Sequence, residues 1–229
     1  MTGGHGKVAL VTGGSRRIGA AISRALAKAG YEVVLTYLAS AREGKSLAAR
    51  IGGSAVPLDL SRPSTFGRFA DRLGRNIGRL DLLVHNAAVF PRTPVGEVPP
   101  AAWDAVFAVN LRGPFLLTRA LLPLLRKGRG DAGVLFLGDA FAFELWPGYL
   151  PYCLSKLAVP HLAAGLRKAL SPDVRVGLVR PGMVLPPEGF PAERWERLRA
   201  EVAGKRGIRT PEGVARAVLR FARSRTYNP

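Results

Sequence analysis

KVALVTGGSRRIG, residues 7–19, sets the architecture of this chain. Lys7–Val11 is a short apolar run of the kind that fills a buried parallel strand, and Thr12–Gly19 is a glycine-rich turn. Ile18, Ile22, Ala25, Leu26 and Ala29 then recur at helical spacing. A strand, a glycine turn and a helix opening in that order form a dinucleotide-binding unit, in which backbone N–H groups at the helix start face a pyrophosphate. Gly13 and Gly19 permit the close backbone approach that such a turn requires.

Outward from this unit, apolar runs and helical patterns alternate. Strands are predicted at 8–11, 32–36, 54–57, 80–85, 133–137 and 174–179, and helices near 18–29, 41–51, 64–76, 100–126 and 152–170. Six strands with intervening helices imply an α/β fold: a Rossmann-type, doubly wound parallel sheet in a three-layer α/β/α arrangement. After Pro181 the pattern changes to a loop, a short amphipathic helix from Pro191 to Ala203, and a last helix through Ser224 with Thr210 and Pro211 at its start. At 229 residues and 48% hydrophobic content, residues 1–229 are expected to form one domain.

No uninterrupted apolar run of about 18 residues occurs, and the first six residues are polar. A cytoplasmic protein with no membrane partner is expected. Cys153 is the single cysteine, which excludes an intrachain disulfide, and it reads as a small packing residue. The net charge of +18 would ordinarily raise nucleic-acid binding. The basic residues are spread over many predicted helices, densest between Arg194 and Arg225, with no helix-turn-helix, zinc-finger or base-stacking motif beside them. No specific nucleic-acid partner is expected; the charge is a solvated surface that also attracts anionic metabolites.

Tyr152 and Lys156 stand four residues apart in a predicted helix, with Asp139 thirteen residues before the tyrosine. An i, i+4 pair shares one helix face, so the ammonium is expected beside the phenol, where it would favour the ionised form. An unperturbed phenol titrates near about 10, so a downward shift would bring this acid toward neutral pH.

These motifs resemble the short-chain dehydrogenase/reductase family along nearly the whole chain. Its landmarks fall in order: Thr12–Gly19, Asp59 after the third strand, Asn86-Ala87-Ala88 after the fourth, Asn110 in the following helix, the Tyr152/Lys156 pair, and Pro181-Gly182 after the sixth strand. The resemblance implies a catalytic set of Asp139, Tyr152, Lys156 and Asn110, the last in a proton relay. It places Gly13, Arg16, Arg17, Ile18, Gly19, Tyr37, Ser40, Asp59, Leu60, Asn86, Ala87, Lys156, Pro181 and Gly182 around the cofactor, with Asp59 near the adenine and Lys156 on the nicotinamide ribose. It implies a homo-oligomer, a tetramer being favoured, and a substrate-loop region of about 182–209. The family usually continues into a further glycine-rich strand, beyond the Tyr227-Asn228-Pro229 at which this sequence stops.

Two departures narrow the resemblance. Arg17 stands where most members carry glycine, and Asp139 where they carry serine; together these are similar to the pteridine reductases. Asn86–Phe90, Gly148–Tyr152 and Thr36–Ala41 agree with that subgroup. By this resemblance Arg17, Phe90, Asp139 and Tyr152 bind the substrate: Phe90 stacks on a pterin, and Arg17 bonds the pterin edge and a cofactor phosphate. No carboxylate lies in Thr36–Ala41 to accept a ribose 2′-hydroxyl, while Arg16 and Ser40 offer charge and hydroxyl to a 2′-phosphate, so NADPH/NADP+ is the expected cofactor.

The function implied is an NADPH-dependent reductase of a pteridine or similar flat heterocycle, with hydride delivered to a C=N carbon. A carbonyl or 3-oxoacyl thioester reductase is the alternative enzyme, for which serine would suit position 139 better. A non-catalytic protein that senses NADPH is the alternative of another class.

Overall fold

Alternate residues of β1 (Val8–Val11) face opposite sides of a sheet, and all four are buried. The strand therefore has an apolar layer on each side. The computed structural model describes residues 6–128, 131–187, 189–201, 207–208 and 210–224. Five further strands complete the sheet: β2 (Glu32–Tyr37), β3 (Ser54–Pro57), β4 (Leu82–His85), β5 (Gly133–Leu137) and β6 (Arg175–Val179). Their order is β3-β2-β1-β4-β5-β6 and every pairing is parallel. This is the Rossmann-type architecture expected.

One apolar layer joins Val8, Leu10, Val134 and Phe136 to Leu121 and Leu125 of α5 (Gly113–Arg126), Leu73 of α3 (Phe66–Ile77) and Val159 of α6 (Leu150–Leu170). The opposite layer joins Ala9, Val11, Val84 and Leu135 to Ile22 and Leu26 of α1 (Arg17–Lys28) and to Val214, Val218 and Phe221 of α8 (Pro211–Arg223). Fully burying a side chain such as Leu26 contributes roughly 1.5–3 kcal/mol relative to leaving it exposed. The remaining helices are α2 (Ala41–Ile51), α4 (Pro100–Phe107) and α7 (Ala192–Glu201). Thr210 caps α8 as expected, its Oγ1 accepting from Gly213 N at 3.0 Å.

The chain winds outward from β1 to β3 and then returns to β4 on the other side of β1. Ligands of open parallel sheets bind in the crevice at such a reversal, beyond the strands' carboxyl ends. Thr12 and Gly13 leave β1 there, and Asn86 leaves β4 beside them.

Several boundaries differ from expectation. The predicted strand 80–85 starts at Leu82, because Leu80 N donates to Leu124 O and Asp81 turns its carboxylate to Val8 N at 2.7 Å. The predicted helix 100–126 is not continuous: Ala108–Arg112 is a π-helical turn between α4 and α5. That segment is by length and composition apolar enough to cross a membrane, yet Leu117, Leu121 and Leu125 are buried within the core layer. Of the predicted helix 191–203, Ala192–Glu201 is observed, and residues 202 and 203 lie outside the described residues. Most of the N-terminal stretch 1–6, Arg225 and the terminal Tyr227–Pro229 lie outside them as well, as do parts of the 182–209 region.

Candidate active site

The glycine turn is held from beneath by Thr12 and Asn86. Thr12 Oγ1 accepts from the N–H groups of Asn86 (3.0 Å) and Ala87 (3.1 Å), and Asn86 Nδ2 donates to the carbonyls of Thr12 (2.9 Å) and Gly13 (3.0 Å). A Cβ at Gly19 would lie 2.1 Å from Gly13 O and 2.7 Å from Asn86 Nδ2, so the turn closes only over glycine. Arg16, at the N-cap of α1, makes no side-chain cap, and no acidic residue lies in the first turn. The helix thus presents its first N–H groups without a capping side chain, as binding a pyrophosphate requires.

At the end of β2, Ser40 Oγ and Ser15 Oγ lie 2.6 Å apart, joining that end to the glycine turn beside exposed Arg16. Tyr37 is buried against Gly44 of α2. Ile18 is half-buried at the start of α1, and Leu60 is buried beyond β3. Asp59 accepts from Ser61 N (2.9 Å) and Ser61 Oγ (2.6 Å) and pairs with Arg62, which fixes the turn after β3. Pro181 bridges Ile208, and Gly182 N donates to Ile208 O at 2.8 Å. The expected residues of the glycine turn, of the ends of β2 and β3 and of the Pro181–Gly182 step all lie at the carboxyl side of the sheet.

Arg17 adopts φ +53°, the left-handed region that favours glycine. A side chain held there costs on the order of 1–2 kcal/mol. Its guanidinium donates through Nη2 to Pro186 O, in the loop after β6.

The proton-carrying groups gather at the carboxyl ends of β4 and β5. Tyr152 Oη donates to Asp139 Oδ2 at 2.7 Å, and Phe141 N donates to Asp139 Oδ1 at 2.7 Å. Burial raises the Tyr152 phenol well above its ordinary value, and the Asp139 carboxylate raises it further. Burial also raises Asp139, against the opposing pull of the Tyr152 hydroxyl, the Phe141 N–H and Lys156. The expected lowering of the phenol by Lys156 is not observed. Lys156 Nζ sits 6.0 Å from the Tyr152 ring centroid and donates instead to Leu137 O at 2.9 Å. Its own pKa is lowered to about 8 by burial, partly offset by Asp139.

Asn110 occupies the π turn and is buried. Its Oδ1 accepts from Val89 N (2.9 Å), and its Nδ2 donates to Val89 O (3.0 Å) and to Ser155 Oγ (3.1 Å). Ser155 in turn donates to Tyr152 O at 2.7 Å. Asn110 thus ties the loop carrying Phe90 to the helix carrying Tyr152, and its bonds go to neither the phenol nor the lysine.

Phe90 was expected to offer a face to a flat substrate. One face is already covered by Tyr149, with centroids 4.3 Å apart and planes within 6°, and Tyr152 meets Phe90 edge to face at 4.4 Å. Thr93 N donates to Gly148 O at 2.6 Å and clips the two loops that carry Phe90 and Tyr149 together. Cys153 is buried, in keeping with a packing role.

Ser155 and Pro186 have no role in the sequence reading, and Thr12 and Tyr149 fall inside the Thr12–Gly19 and Gly148–Tyr152 motifs without a role of their own. Ser155 stands three residues after Tyr152 on the same helix, and Thr12 is the hydroxyl that opens the glycine turn, so spacing could have found both. Nothing local announces Pro186 or the Tyr149 stack, because their partners are distant in sequence.

With this geometry in place, the comparisons identify the class. The short chain dehydrogenase family model matches residues 7–196. The chain belongs to the short-chain dehydrogenase/reductase family. It is 32% identical over 210 residues to the D-threitol dehydrogenase of Mycolicibacterium smegmatis, covering 87% of this chain and 78% of that one. Among solved structures it is similar to the FolM alternative dihydrofolate reductase 1 of Brucella suis in complex with NADP, with a TM-score of 0.86, 34% identity, and coverage of 96% of this chain and 89% of that one. The corresponding Brucella canis protein complexed with NADP gives a TM-score of 0.84 at 35% identity, over 96% and 88% of the two chains.

Proposed function

We propose that this oxidoreductase reduces a C=N bond of a pterin, dihydropterin or similar flat heterocycle. The observation that carries the proposal is the half-buried Tyr152–Asp139 hydrogen bond of 2.7 Å placed edge-on to Phe90. A carboxylate at position 139 suits a substrate that presents ring nitrogens, and a row of aromatic rings suits a planar one.

NADP(H) is the cofactor, consistent with the NADP-bound structures to which the fold is similar and with a β2 end that lacks a carboxylate. When bound, it supplies the hydride. Gly13, Arg16, Arg17, Ile18 and Gly19 would hold its phosphates, with Ser40 and Tyr37 at the end of β2, Asp59 and Leu60 near the adenine, and Asn86, Ala87, Pro181 and Gly182 along the nicotinamide half. Lys156 would hold the ribose. Tyr152 keeps its proton at neutral pH, as a donor must, and Asp139 orients that proton. Asn110 holds the Phe90 loop and, through Ser155, the first turn of α6; its part in a proton relay belongs to the same proposal.

NADPH oxidation measured against dihydropterins, dihydrofolate, quinonoid pterins and simple ketones tests the reading. Pterin-type substrates should turn over fastest. Activity on ketones with none on any pterin would overturn it. A second reading, oxidoreduction of carbonyls or polyols, is favoured by the similarity to D-threitol dehydrogenase; threitol oxidation with NADP+ or NAD+ tests it.

A cytoplasmic homo-oligomer, a tetramer being favoured, completes the proposal. Exposed Phe115 and Trp103, with Phe107 and Leu111 between them, form an apolar strip beside Ala158 and Leu162 of α6, which suits a second copy of the chain. Sedimentation velocity should show an assembly that Phe115→Glu dissociates.

A further inference from the structure

We propose that Arg92 selects the substrate by its tail, as the specificity residue for a flat ring that carries a carboxylate or phosphate on the edge away from the reacting bond. This rests on the proposed reduction of a pterin-like ring. Two loops frame the aromatic row, 86–99 after β4 and 138–149 after β5, and Arg92 is the only cation in either. A Cβ on Gly148 would stand 3.8 Å from Arg92 Cγ and 3.9 Å from its Nε, so the arginine stem lies along the backbone of the residue before Tyr149. Arg92 is exposed and makes no ion pair or side-chain hydrogen bond among the described residues.

Position fixes what this cation can meet. Phe90, two residues earlier, stacks on Tyr149 at 4.3 Å, and Thr93, the next residue, donates its N–H to Gly148 O at 2.6 Å. Arg92 is thus held on both sides in sequence, beside the half-buried rings of Phe90, Trp146 and Tyr149. Tyr152 and Asp139 form the proton-donating part of the row. A ring with its C=N at the Tyr152 hydroxyl turns its opposite edge away from that hydroxyl and toward solvent, and a substituent there leaves past the clipped loops. A guanidinium is a planar fork of N–H donors that matches a carboxylate or a phosphate through paired bonds. A neutral hydroxyl tail accepts one such bond without the charge, so Arg92 discriminates by the tail and not by the ring.

NADPH oxidation by the full chain is followed with three dihydropterins that share one ring: dihydroneopterin, whose tail is neutral, its monophosphate, and dihydrofolate, whose tail ends in carboxylates. Arg92→Met should raise KM for one or both anionic substrates about fivefold, the size of an exposed ion pair, with kcat and the KM of dihydroneopterin unchanged. The anion that loses more is the one the site reads, carboxylate or phosphate. Arg92→Lys should restore part of the loss, and added salt should erase the wild-type advantage of the anionic substrates alone. Arg92→Gln carries the measurement if Arg92→Met does not fold. An unchanged KM for both anionic substrates, or an equal rise for dihydroneopterin, overturns the assignment of Arg92 while leaving the ring chemistry standing. No turnover of any of the three by the wild type overturns the reading of the site itself, and the role of Arg92 with it.

Discussion

The Tyr152 hydroxyl gives its hydrogen to Asp139 across 2.7 Å, so the phenol is held protonated by the residue beside it and not ionised by the lysine below it. Burial and the Asp139 charge act in the same direction on this phenol, and Lys156, turned to Leu137 O, does not counter them. On the proposed reading the site keeps a proton until a substrate takes it.

Removing that proton while keeping the ring should stop the chemistry. Tyr152→Phe should lower turnover by roughly 10²-fold or more while NADPH affinity, read by fluorescence titration, stays near wild type. Retention of most of the turnover would move proton delivery to Asp139 or water. In Asp139→Asn the phenol should titrate lower than in the wild type, because the negative charge that raises it is gone; an ultraviolet pH titration reads the difference.

Lys156 is expected to set an alkaline limit. With its pKa lowered to about 8, the ammonium is lost as pH rises through that value, and turnover should fall along an alkaline limb near pH 8. The stability effect has the opposite sense. The folded pKa lies below the ordinary 10.5, so the unfolded chain binds more protons between about 8 and 10.5, and the cost of the buried ammonium is relieved as pH rises across that window. A flat profile from pH 7 to 10 in a pH–rate series would contradict the role.

Gly19→Ala is expected to damage the cradle directly. The added methyl would sit 2.1 Å from Gly13 O, a distance that forces the turn to move. Overpacking of this kind costs about 1–3 kcal/mol, and the displaced turn should weaken NADPH more than tenfold in isothermal titration. Unaltered binding would show that the turn has slack.

His85 predicts acid sensitivity. Its Nε2 donates to Thr118 Oγ1 at 2.8 Å, since Thr118 gives its own hydrogen to Pro114 O, and Nδ1 is buried with no partner among the described residues. Burial lowers its pKa from 6.5 to about 3. Between these values the unfolded chain carries the extra proton, so stability is full above about pH 6.5 and falls as pH drops toward 3. His85→Phe, which keeps the stack on Phe136, should flatten that slope in denaturant titrations between pH 7 and 4. An unchanged slope would assign the acid limb to other groups.

The fold and the glycine turn were legible because their signals are local. β1, the Gly13–Gly19 turn and α1 are contiguous, and Tyr152 and Lys156 share one helix. What could not be read were interactions set by tertiary packing. Lys156 turns to Leu137 O because β5 passes beneath α6, and Phe90 meets Tyr149 because Thr93 clips onto Gly148. Neither contact has a spacing in the sequence. The π turn at Asn110 was read as plain helix, since Ala108–Arg112 carries no proline or glycine to mark an irregularity.

That turn has a consequence for tolerance to insertion and deletion. A π turn accommodates one residue more than the α turn it interrupts, and each residue of an α-helix advances the azimuth by about 100°. α4 and α5 are thus out of phase by one step, and the offset is what lets Trp103 and Phe107 face outward while Leu117 and Leu121 face the sheet. Deleting one residue between Ala108 and Arg112 would restore an unbroken helix and swing the Asn110 amide away from Val89 and Ser155, whereas equal deletions in exposed loops would leave them joined. The segment is a site where chain length, more than residue type, decides whether the Phe90 loop and α6 stay joined.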